Sequence, residues 1–312
     1  MPLDPTMQMV LHQLNSLPQV PTDRLTPDTF RNQPHPAEPA VDLALVRDIE
    51  LPLTGRTLRA RLYVPDEAGD TPQPTIVYYH GGGFVYGDLD LFNWVCSTLS
   101  KESTCAVISV EYRLAPEHKF PEPVDDAYEA LAYIVAHADE LGVDTTRIAV
   151  AGDSAGGNLA AVTCLIAKER GGPQIAYQLL LYPVTGVTEN DPSVIENGTG
   201  YFLTADLIRW FGEQYQRSDA DQHNPHFAPL ESDDLSGLPP AFVATAGYDP
   251  LRDCGISYAN AMRKAGVAVE SKNFEDLIHG FANFGAWVPR AKEALTECAH
   301  HVRNALVKQA SV

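Results

Sequence analysis

The run Arg147–Ala151, Gly152, Asp153, Ser154, Ala155, Gly156, Gly157, Asn158 decides the fold, because it reads as a strand turning sharply into a helix around a serine. Glycines flanking the serine let the two elements meet without colliding side chains, and the helix amino terminus then lies beside the hydroxyl, where its dipole favours developing negative charge. By itself the G-x-S-x-G pattern is weak, since a chain of 312 residues meets it by chance roughly one time in ten. Its setting strengthens it. Residues 147–151 are a short apolar run, and the helical stretch Asn158–Arg170 continues to Gly171, Gly172 and Pro173.

Working outward, the chain alternates short apolar runs with longer helical ones. Thr75–Tyr79, Cys105–Val110, Arg147–Ala151, Gln178–Tyr182, Ala241–Ala246 and Val267–Ser271 read as buried parallel strands. Leu91–Ser100, Val124–His137, Asn158–Arg170, Leu251–Lys264 and Pro289–Val307 read as helices. Two earlier runs, Leu45–Leu51 and Leu58–Tyr63, suit an antiparallel hairpin at a sheet edge. The pattern predicts an α/β protein with a mostly parallel twisted sheet, helices on both faces, and ligands beyond the carboxyl ends of the strands. Nearly sixty residues separate Tyr182 from Ala241, too many for a structureless loop. A helix over about Thr204–Gln216, with Leu207, Trp210, Phe211 and Tyr215 on one face, predicts a small helical cap. Residues 1–44 read as a cap helix, with Met7, Val10, Leu11 and Leu14 at helical spacing, and an arm carrying Pro18, Pro21, Pro27, Pro34, Pro36 and Pro39. The expected division is 1–44 for that helix and arm, 45–184 and 226–312 for the two parts of the core, and 185–225 for the cap insertion.

Composition excludes several classes of function. Lys and Arg number 22 against 41 Asp and Glu, a formal charge of −19, with no polybasic run for nucleic acid or an anionic membrane. The expectation is a solvated acidic surface, no nucleic-acid or membrane partner, and a monomer or homodimer acting on a small molecule. No stretch approaches the ~18 apolar residues of a membrane span. The five cysteines, Cys96, Cys105, Cys164, Cys254 and Cys298, are scattered and lack a C-x-x-C pair. With neither a basic start nor an apolar run near Met1, they point to a cytoplasmic location. His223 and His226 show H-x-x-H spacing, but Pro225 lies between them and no acidic ligand follows at a helical interval, so no metal is expected.

Other residues supply the partners a serine nucleophile needs. After Thr75–Tyr79 come His80, Gly81, Gly82 and Gly83; the N–H groups of Gly82 and Gly83, joined by that of Ala155, suit an oxyanion hole. His80 and Gly81 are expected to shape that loop. A base must take the hydroxyl proton and a carboxylate must hold the base in the right tautomer. In the order Ser, Asp, His, Asp249 follows the strand Ala241–Ala246 and His279 follows Val267–Ser271. Asp253, Glu275 and Asp276 are alternative carboxylates. Phe84, Tyr86, Tyr182, Leu203 and Phe211 are candidates for an apolar substrate wall, though each could equally be core.

The blocks His80–Phe84, Tyr112–Pro121, Gly152–Asn158, Tyr248–Asp253 and His279–Phe281 together resemble the bacterial hormone-sensitive-lipase-like (family IV) carboxylesterases of the α/β-hydrolase fold, close to the small thermophilic esterases of that group. The resemblance spans essentially the whole chain. It implies a carboxylic-ester hydrolase with Ser154 as nucleophile, His279 as base and then acid, and Asp249 orienting the imidazole. Gly82, Gly83 and Ala155 would be the oxyanion donors. It also implies short- to medium-chain acyl esters as substrates and no cofactor.

Overall fold

The computed structural model describes residues 1–18, 20–33, 39, 41–69 and 71–307; Pro34 and Pro36 of the expected arm lie outside the described residues. The strands are β1 (Leu45–Leu53), β2 (Arg56–Val64), β3 (Gln73–Tyr79), β4 (Ala106–Glu111), β5 (Val143–Asp153), β6 (Tyr177–Leu181), β7 (Ala241–Tyr248) and β8 (Val269–Ile278). The helices are α1 (Pro5–Ser16), α2 (Pro27–Arg31), α3 (Asn93–Ser103), α4 (Glu122–Ala136), α5 (Ala138–Leu141), α6 (Ala155–Arg170), α7 (Pro192–Asn197), α8 (Ala205–Tyr215), α9 (Arg252–Lys264) and α10 (Pro289–Leu306). The strands form one sheet in the order β1-β2-β4-β3-β5-β6-β7-β8. β1 and β2 pair antiparallel, as do β2 and β4, and every later pairing is parallel.

Strand side chains alternate between the faces with the period of two that the pleat imposes. Val77, Tyr79, Ile108, Ile148, Val150 and Leu180 join the core under α4, α6 and α9. Ile76, Tyr78, Val107, Ala149, Ala151 and Leu179 join the core under α3 and α10. Because helices cover both faces, the central strands carry apolar residues at consecutive positions. α1 adds Met7 and Leu11 to the second core, so the amino-terminal helix contributes to the packed interior as well as preceding the arm. All five cysteines are buried and unpaired.

One expectation needs correction. The last strand runs over Val269–Ile278 rather than 267–271. As a sheet edge it pairs with β7, and exposed polar side chains such as Ser271, Lys272 and Glu275 occupy positions that the core does not cover. His301 is half-buried, its ring stacked on Phe242 with centroids 3.8 Å apart. Among the described residues no helix is long and apolar enough to cross a membrane.

Candidate active site

The site lies where four parallel strands end. The register pairs Tyr79 with Gly152, so the loop after β3 and the turn after β5 emerge side by side. Ser154 occupies that turn with φ +55° and ψ −116°, a conformation side chains rarely adopt. The flanking glycine makes it possible. A Cβ on Gly156 would collide with the carbonyl oxygen of Tyr79 and approach that of His80. The sharp turn is pinned by the Ser154 N–H donating to the Leu181 carbonyl at 2.9 Å. The Asn158 amide ties α6 to the loops above it, donating to the carbonyls of Val184 and Phe227, each at 2.8 Å.

β7 and β8 deliver the partners. His279 immediately follows Ile278, the last residue of β8, and Asp249 immediately follows Tyr248, the last of β7. The His279 Nδ1–H donates to the Asp249 carboxylate at 2.8 Å, and Nε2 lies 3.0 Å from the Ser154 hydroxyl. Asp249 is 0% exposed and His279 5%. The second Asp249 oxygen accepts the Leu251 N–H at 2.7 Å, which fixes the carboxylate plane. The alternative carboxylates are engaged elsewhere. Asp253 accepts the Ser193 N–H at 2.8 Å, Glu275 faces the amino-terminal ammonium at 3.7 Å, and Asp276 pairs with Arg290 at 2.7 Å.

The glycine loop is clamped before its first candidate donor. The Gly81 N–H donates to Asp153 at 2.7 Å, and the Gly81 carbonyl accepts from His80 Nδ1 at 2.7 Å. The His80 carbonyl in turn accepts from the Tyr112 hydroxyl at 2.7 Å. His80 is fully buried between Phe92 and Tyr112, and burial pushes its imidazole down to about 4, so the ring is neutral and can serve as a fixed Nδ1–H donor. Gly82 and Gly83 follow with φ +104° and +60°. Ala155 opens α6, where its N–H has no intrahelical acceptor.

The candidate wall residues divide. Phe211 and Tyr86 are half-buried at the cleft, and the Phe211 ring covers Gly83 so closely that a Cβ there would strike it. Three others are interior. Phe84, 7% exposed, stacks on Tyr215 at 3.7 Å. Tyr182, 0% exposed, presses against the His279 ring at 4.9 Å and Phe281 at 5.0 Å, so it supports the imidazole from behind rather than meeting a ligand. Leu203 packs on Leu251 and Cys254.

Sequence reasoning missed two aromatic residues here. Phe202, 40% exposed at φ +66°, sits 3.3 Å from the position a Gly280 Cβ would take, next to His279. Phe30 of α2 contacts Tyr86, Trp210 of α8 and Phe211 at 5.3 to 5.4 Å between centroids, closing the cleft above the glycine loop. α2 lies in the Pro-rich arm and is too short to show a period, whereas the aromatic face of α8 was visible. His223 and His226 face Glu231 and Glu169, and the described residues hold no cluster of three His, Cys, Asp or Glu able to bind a metal.

Comparison with known proteins agrees with this architecture. Residues 76–283 match the family model described as alpha/beta hydrolase fold. The chain is 40% identical to esterase LipI of Mycobacterium tuberculosis over 295 residues, covering 94% of this chain and 86% of that protein. It is 39% identical to an ethyl acetate hydrolase of Pseudomonas putida over 77% of this chain and 76% of that one. The solved structure of a hyperthermophilic esterase from the archaeon Pyrobaculum calidifontis superposes with a TM-score of 0.89 at 42% identity, covering 97% and 99% of the two chains. Matched by family, by curated relatives and by solved structure, the chain belongs to the alpha/beta hydrolase fold family, in its hormone-sensitive-lipase-like group.

Proposed function

We propose that this protein is a carboxylesterase that hydrolyses short- to medium-chain acyl esters through an acyl-enzyme on Ser154. The observation that carries the reading is the unbroken line from the Asp249 carboxylate to His279 Nδ1 at 2.8 Å and from Nε2 to the Ser154 hydroxyl at 3.0 Å. With Nδ1–H donated to Asp249, Nε2 is the free base. It takes the hydroxyl proton as Oγ adds to the ester carbonyl, and the carbonyl oxygen becomes an oxyanion facing the N–H groups of Gly82, Gly83 and Ala155. Collapse of this intermediate expels the alcohol with the proton returned from His279, leaving the acyl group on Ser154. Water, deprotonated by the same nitrogen, adds to the acyl carbon and releases the acid. The chemistry balances without a cofactor.

The names of the relatives, esterase and ethyl acetate hydrolase, support small esters as the substrate class. Phe202, Tyr86 and Phe211 supply the apolar surface that an acyl or alcohol chain would displace water from. The five unpaired, buried thiols support a reducing, cytoplasmic setting. The test is hydrolysis of p-nitrophenyl butyrate and hexanoate by the wild type and Ser154→Ala. Loss of the nucleophile is expected to lower kcat by about 10⁴-fold or more with the fold intact by circular dichroism. Turnover unchanged in a clean preparation of the variant would overturn the reading.

A further inference from the structure

Asp153, the residue before the nucleophile, takes no part in the proton relay from Asp249 to Ser154, yet it is a buried carboxylate in the middle of the site. It ends β5 on the face that also carries Ala149 and Ala151, and Tyr78 of β3, which pairs with Ala151, lies on the same face. One carboxylate oxygen accepts both the Tyr78 hydroxyl and the Gly81 N–H, each at 2.7 Å. The other lies against the Cα of Gly81, so closely that any Cβ at position 81 would collide with it. The first glycine of the loop is therefore dictated by this carboxylate rather than by a need for positive φ, because Gly81 is absent from the positive-φ glycines while Gly82 and Gly83 are among them.

Gly81 is held at both ends, by Asp153 at its N–H and by His80 at its carbonyl. The peptide that links it to Gly82 therefore has little freedom to rotate. We propose that Asp153 is a positioning residue for the oxyanion loop, acting through the Gly81 N–H to fix the direction in which the Gly82 and Gly83 donors point. The inference rests on the serine-esterase reading above and adds to it the device that keeps the donors aligned before substrate arrives, which is where preorganised stabilisation of a transition state arises.

The charge state is consistent with this role. Burial pushes the Asp153 carboxyl up to about 6, against the opposing pull of the Tyr78 hydroxyl, the Gly81 N–H and the His279 charge, so at neutral pH it is mainly the carboxylate.

The test uses the full chain, with p-nitrophenyl butyrate as substrate and an alkyl trifluoromethyl ketone as a probe that forms a tetrahedral anion on serine. Asp153→Ala is expected to lower kcat roughly 10- to 100-fold and to weaken ketone inhibition in proportion, while KM changes less than about threefold, because only the anionic tetrahedral state uses the donors fully. Asp153→Asn, whose amide oxygen can still accept from Gly81, is expected to recover most of both losses. A purely structural carboxylate would lower thermal stability without moving ketone affinity. Wild-type kcat and ketone affinity in Asp153→Ala, or equal losses in the alanine and asparagine variants, would overturn the proposal. Should the alanine variant fail to fold, Gly81→Ala, which forces the carboxylate off the same peptide, carries the test; the same loss of ketone affinity is expected, and wild-type affinity overturns it. Ser154→Ala separates the two readings. If it stays active the esterase reading fails, and if it is inactive while the Asp153 variants match the wild type, only this inference fails.

Discussion

On the floor of the cleft hydrogen bonds of 2.7 to 3.0 Å run between Ser154 and His279, from His279 and the Leu251 N–H to Asp249, and from the Gly81 N–H to Asp153, each in a set direction. In the roof Phe30, Tyr86, Trp210 and Phe211 meet at centroid separations of 5.3 to 6.1 Å and interplanar angles from 17° to 71°. Directional bonds between buried groups fail when an atom moves a fraction of an ångström, and an orphaned partner is costly. Aromatic contacts tolerate repacking, since rings of several shapes can fill the same volume. We infer from this difference a division between what the protein does and what it prefers: the floor carrying the proposed reaction, and the roof selecting the acyl chain.

The sharpest test of this division is Asp249→Asn. The amide holds His279 in place but favours the wrong tautomer, and kcat is expected to fall about 10⁴-fold with the melting temperature little changed. A loss below tenfold in steady-state assays would mean that the floor does not govern turnover.

A smaller effect is expected from His80 and appears in stability. In the unfolded chain an imidazole binds its proton near 6.5, while burial delays protonation in the folded protein to about 4. Between those values the unfolded state holds more protons, so this contribution falls as pH is lowered through the window, by about 3 kcal/mol at most. Asp153 acts in the opposite sense, because its raised value favours the folded state at acid pH. Urea melts of the wild type and His80→Gln at pH 7 and 4.5 isolate the histidine, and an unchanged gap between the two proteins at both pH values would refute the assignment.

Phe211→Ala is expected to give the smallest change and the clearest signature of the roof. Opening space above Gly83 should shift KM for the hexanoate ester relative to the butyrate by about tenfold or less, near the 1 to 3 kcal/mol that a methylene-scale difference in a pocket is worth. kcat on the preferred ester should stay within a few-fold. A collapse of kcat without any change in chain preference would show that α8 serves the floor instead.

The same division explains what could be read from the sequence. Ser154 and its flanking glycines were legible because a strand-to-helix turn at φ +55° admits few residue types near it. Asp249 and His279 were legible because they come in the expected order directly after strands, and the structure joins them to Ser154. The wall was not legible. An aromatic residue in a loop can face a ligand or the core with equal sense, and Phe84 and Tyr182 turned inward while Phe202, which no periodicity marked, stayed at the rim. The full length of β8 was hidden for a related reason. Lys272, Asn273, Glu275 and Asp276 read as loop, although an edge strand with one open side can carry them. Asp153 was passed over because its partners, Tyr78 and Gly81, lie more than seventy residues away in the chain.

The concealed thiols give this molecule a built-in set of reporters. Cys164 lies in the layer beneath α4, α6 and α9, Cys96, Cys105 and Cys298 in the opposite layer, and Cys254 in the small cluster with Leu203 and Leu251. An alkylating reagent has to wait for each neighbourhood to open, so timed labelling followed by peptide mass mapping would rank the order in which the layers come apart during denaturation.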